Sequence, residues 1–161
     1  MNKNALLAIT AIAVIAVACI AAYAFLKSDD STSLRTDLKA GDYIEIRVDN
    51  QGSTYTERYE IQSVSGSSCS VSHMDRDDIT VEKMTRTGFL DKILLSSENI
   101  SDYGAQKNGT ETIDTPWGKV KCTIYTVPSY TGITLYVGPG DVVYKEVSSI
   151  YTRTLSGTSL F

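Results

Sequence analysis

The residue types that carry chemistry are sparse in this chain. It has one histidine, His73, and three cysteines, Cys19, Cys69 and Cys122. Histidine is the usual general acid–base because its imidazole titrates near neutral pH. A lone histidine near the end of a strand-like stretch reads first as a packed or rim residue, since histidines are commonly half-buried. No serine lies in a G-x-S-x-G elbow, and the spacing gives no Cys–His pairing. No catalytic residue is assigned on this basis, and a non-enzymatic protein is expected.

Metal chemistry is equally thin. Asp75, Asp77 and Asp78, in the run DRDD, offer the oxygens that a hard cation wants. The run lacks D-x-D-x-D-G spacing and has Arg76 in its midst, so a solvated turn is the better reading. Cys69 and Cys122 have no C-x-x-C partner and no Cys/His cluster, which argues against zinc. No metal or cofactor is expected. Outside the cytoplasm these two cysteines are a candidate disulfide. Two buried thiols are the alternative, because a bridge needs Cα atoms about 4.4–6.8 Å apart and spacing does not reveal that.

Two recognition features remain. Asn99-Ile100-Ser101 and Asn108-Gly109-Thr110 fit the N-glycosylation acceptor pattern, and both fall in a stretch, 99–108, that reads as polar loop. Tyr43, Tyr125 and Tyr136 each stand out of phase with an aliphatic row, respectively Ile44/Ile46, Cys122/Ile124 and Leu135/Val137. One reading is a single tyrosine-bearing recognition face, since tyrosine offers rigid area plus a hydroxyl. Ordinary cross-strand packing is the other.

The elements that must position these residues begin with an apolar run. Residues 5–26 form 22 consecutive uncharged residues, ten of them Leu, Ile, Val or Phe. As a helix the run would be roughly 33 Å long, against about 30 Å of hydrocarbon. An uncleaved anchor is expected, because the run exceeds the roughly 7–15 residues of a signal-peptide core. Cleavage after Ala22-Tyr23-Ala24 is the second reading, and a lipoprotein ending at Cys19 the third. The short amino-terminal tail favours export of the polar remainder of the chain, although Lys27, Arg35 and Lys39 oppose it on a plain count of basic residues. The expected location is the cell membrane, single-pass, with the carboxy-terminal domain outside the cytoplasm.

Residues 27–40 read as a polar tether and 41–161 as one β-domain. The chain carries a net charge of −4 and shows no basic patch, so nucleic acid is not an expected partner. Alternation predicts strands near 43–48, 54–64, 69–73, 79–84, 110–114, 119–127, 133–137, 142–148 and 151–155. Residues 89–96 recur at helical spacing and predict one short helix. The predicted fold is mainly β: a transmembrane helix, then a curved antiparallel sheet of eight or nine strands with one short helix. Sheets of that width curl or split, and periodicity does not separate a half-barrel from a sandwich.

Within this pattern, GTETIDTPWGKVKCTIYTV followed by TLYVGPGDVVYKEVSS resembles a unit of the LolA/LolB-like lipoprotein-carrier fold and related uncharacterised domains. The resemblance rests on Pro116-Trp117-Gly118 before a strand bearing Cys122, and on the Gly/Pro turn within 136–144; it covers about residues 109–148. It implies an incomplete barrel around a helix, with a concavity that holds lipid in some members. Two functions are therefore expected to compete. One is a membrane-anchored binding or structural domain facing an envelope protein, glycan or lipid; the other is a carrier or sensor of an apolar ligand.

Overall fold

The computed structural model describes residues 33–95, 104–128 and 132–161. Alternation does the first work. In β1 (Tyr43–Asn50) Ile44, Ile46 and Val48 are buried and the residues between them are not. Gln51 and Gly52, both at positive φ, close a two-residue loop, the backbone that matches strand twist. β2 (Ser53–Ser65) returns beside β1. Gly66 at positive φ then leads into β3 (Ser68–Asp75), and Arg76 at positive φ into β4 (Asp78–Thr85).

The helix starts earlier than its apolar spacing predicts. α1 spans Arg86–Leu90 because Thr85 caps it, accepting the Gly88 N–H at 2.9 Å. Residues 93–95 leave the helical path for backbone partners. Val143 N–H bonds the Ile93 carbonyl at 2.7 Å and Leu95 N–H bonds that of Asp141 at 2.9 Å.

The second meander is β5 (Gln106–Thr115), β6 (Gly118–Val127), β7 (Ile133–Val137), β8 (Val143–Val147) and β9 (Tyr151–Thr158). β5 begins inside the stretch expected as loop, because Gln106 and Lys107 pair with Thr126 and Tyr125. The last strand then pairs with the first. The result is one open, nine-stranded antiparallel sheet in the order β4-β3-β2-β1-β9-β8-β7-β6-β5.

Cys69 of β3 and Cys122 of β6 belong to one buried cluster with Ile44, Phe89, Ile93, Tyr144 and Leu160. In a flat sheet β3 and β6 would lie six strand steps apart, roughly 29 Å at about 4.8 Å per step. All described residues fall within one compact unit, Thr32–Phe161. The stretch 33–40, expected as tether, is fixed to it. Leu38 is buried, and Arg35 N–H bonds the Leu160 carbonyl at 2.8 Å. No helix among the described residues is long and apolar enough to cross a membrane; the run 5–26 lies outside them.

Candidate functional site

Where β1 meets β9, Asp42 is almost wholly buried and pairs with the Arg35 guanidinium. It also accepts the Lys39 N–H at 2.7 Å and the Ser159 hydroxyl at 3.2 Å. Burial pushes this carboxyl up, but Arg35, the Lys39 amide and Ser159 outweigh it and hold it below the usual carboxylate range. The clamp ties both ends of the domain together.

A second polar cluster lies by β8 and β9. Arg153 donates to Glu57 at 2.8 Å and stands 3.8 Å from Glu146, whose carboxylate also accepts the Tyr151 hydroxyl. Tyr59 donates to Glu57 at 3.4 Å. Burial, then Glu57, pushes the Tyr59 phenol up to about 12; burial, then the bond to Glu146, does the same for Tyr151. These groups are committed to one another: Arg153 is ion-paired with Glu57 and lies near Glu146, and the phenols stay protonated. A depression beside them, lined by Ile46, Lys92, Ile93, Lys145, Arg153 and Leu155 among others, holds about 30 Å³. That is roughly room for one water.

His73 is in β3, stacked on Tyr59 with centroids 4.2 Å apart. Its Nε2 is buried without a hydrogen-bond partner among the described residues. Asp75 and Asp78 are the closing pair of the β3–β4 hairpin, with Arg76 and Asp77 as its loop; all three aspartates are exposed. No group of three metal-ligating side chains occurs among the described residues. Cys69 and Cys122 are buried free thiols. Cys69 lies 3.6 Å from the Met84 carbonyl and Cys122 3.9 Å from that of Val120. Burial raises both thiols, Cys122 to about 11. Asn99 lies outside the described residues. Asn108 sits in β5 rather than in a loop, at the irregularity between Lys107 and Thr110, with its side-chain amide donating to the Thr126 hydroxyl of β6.

The three tyrosines do not share one face. Tyr125 pairs with Leu135, and Tyr136 with Ile124, so the register puts these two tyrosines on opposite sides of the sheet. Arg58 stacks over Tyr43 at 4.0 Å and Lys145 over Tyr136 at 5.2 Å. Phase within a strand gives alternation, and only the partner strand says which alternate set meets which.

The feature that pattern reading missed is the outer edge of β4. Ile79 and Val81 are 67 % and 68 % exposed, side by side at i and i+2. Met74, opposite Ile79, extends the stripe inward. The signal was present in the sequence as DITVEKMT, but its meaning depended on β4 being an edge. The flanks of a two-residue loop form a hydrogen-bonded pair, here Asp75 and Asp78. Alternation then directs the N–H and C=O of Ile79, Val81 and Lys83 away from β3. Among the described residues, no backbone hydrogen bond leaves that edge. No protein-family model matches the chain, and no curated protein matches it either.

Proposed function

We propose that the chain is a membrane-anchored, outward-facing, non-enzymatic binding or structural domain that works by display. Residues 5–26 hold it in the bilayer and the sheet presents its surface to envelope partners, which raises effective concentration toward them. In this reading the sheet curls over α1 and residues 91–95, which fill its inner side.

The observation that favours display over carriage is an interior filled by side chains among the described residues. Ile44, Phe89, Val142 and Leu160 are fully buried, and the depression beside Arg153 is water-sized. An acyl chain occupies several hundred Å³, in the range of ordinary ligand pockets. Of the large apolar side chains left uncovered among the described residues, Ile79 and Val81 are the most exposed, ahead of Ile150 and Trp117.

Native mass spectrometry of the full-length chain released from detergent tests this. The polypeptide mass alone is expected. A copurifying lipid that survives release would replace display with the carrier function implied by the LolA/LolB-like resemblance. A reporter active only outside the cytoplasm, fused after Phe161, should be active; a silent fusion would overturn the orientation.

A further inference from the structure

The β4 edge has a geometry that selects its own partner. We propose that it is a homodimerisation edge: two copies pair β4 against β4, antiparallel, about a two-fold axis at Val81. This goes beyond the display reading and needs only the folded domain.

The register follows from charge and from the backbone. Residues directly opposite in an antiparallel pair share a face, so a two-fold pairing can centre on Thr80, Val81 or Glu82. Centred on Thr80, it sets Asp78 against the other copy's Glu82. Centred on Glu82, it sets that carboxylate against itself. Like charges directly opposite are destabilising. Centred on Val81, it opposes Val81 to itself, Ile79 to Lys83, Thr80 to Glu82 and Asp78 to Met84. No like charges meet, and the aliphatic stem of Lys83 can cover Ile79.

The backbone agrees. Ile79, Val81 and Lys83 are the residues whose N–H and C=O face outward, and this register pairs them with one another. It forms about six inter-chain hydrogen bonds, as a regular ladder would. A closed two-fold contact also uses the same edge on both copies, so assembly stops at two. The β5 edge fits a partner strand less well, since a bulge between Lys107 and Thr110 breaks its ladder.

The test uses the full-length chain in detergent micelles, with mass and association constant measured by sedimentation. Wild type is expected to reach a dimer and no further. Val81→Pro removes one outward N–H and no bond to β3, so the fold should persist by circular dichroism while association weakens at least tenfold. Ile79→Glu would face Lys83 of the other copy and should strengthen the dimer severalfold. Adding Lys83→Glu to that variant should reverse the gain. Ile79→Glu keeps the test decisive if the proline variant fails to fold. A wild type that stays monomeric, growth beyond dimers, association indifferent to Val81→Pro (as contact through residues 5–26 would be), or weakening by Ile79→Glu would each overturn the proposal.

Discussion

The sheet has two edges, and they are built differently. β5 is polar apart from Gly109 and the partly buried Ile113, with Lys107, Asn108, Glu111 and Thr112 exposed. Its ladder is interrupted beside Gly109, whose φ is 117°. Those are the devices by which sheets discourage strand addition: charge, a bulge and a glycine kink. β4 pairs with β3 in unbroken register over all eight residues, and it turns Ile79 and Val81 to solvent. With β4 as the dimer edge, the contrast means that an open sheet need protect only the edge it does not use. The residues between the edges supply a common support.

That support is where the largest effect is expected. Phe89→Ala removes a fully buried ring from the cluster that joins both halves of the sheet and should cost about 3–5 kcal/mol. Chemical denaturation should show one transition in which both edges are lost together. Separate transitions for the two halves would break the comparison, because each edge would then have its own foundation.

Proline placement sharpens it next. Thr80→Pro deletes an N–H directed at β3 and should destabilise the hairpin by about 3 kcal/mol, the scale of a misplaced proline. Val81→Pro, one residue on, should change unfolding free energy by well under half of that. A larger loss for Val81→Pro than for Thr80→Pro would mean that the inward and outward alternation assigned to β4 is inverted.

Asp42→Asn should cost about 1.5–3 kcal/mol, the range for a hydrogen bond to a charged group. The folded-state carboxyl titrates below its ordinary value. Its contribution is therefore fully present above the unfolded range near about pH 4 and is lost as pH falls through the folded value. The gap between the thermal melts of wild type and variant should narrow as pH falls below about 4. The seam at Asp42 lies between the edges, so association should be unchanged. The smallest effect concerns the thiols. Both should label slowly in native protein, and Cys122, raised further, should label more slowly than Cys69. The reverse order would mean that the β5 side of the domain opens more readily.

Much of the scaffold was legible in the chain. Ile44, Ile46 and Val48 declared their face by alternation, and Gly52 and Gly66 marked turns by the positive φ they supply. Local rules reach that far because they depend on residues a few positions apart. The pairing of β1 with β9 was not legible, since it joins residues more than a hundred positions apart. Without it neither β4 nor β5 could be known as an edge, and the exposed Ile79–Val81 pair read as part of one more short strand. The split between Tyr125 and Tyr136 was hidden for the same reason: register belongs to two strands. Of the clusters, the Arg153 network escaped notice because Glu57, Glu146 and Arg153 lie on three different strands.

The most direct measurement is residue-resolved amide hydrogen exchange on the full-length chain at two concentrations. In dilute protein the Ile79, Val81 and Lys83 amides should exchange quickly while those of Thr80 and Glu82 stay protected by β3. Raising the concentration should slow the first set alone. Protection of Ile79, Val81 and Lys83 that is the same at both concentrations, whether high or absent, would contradict the account.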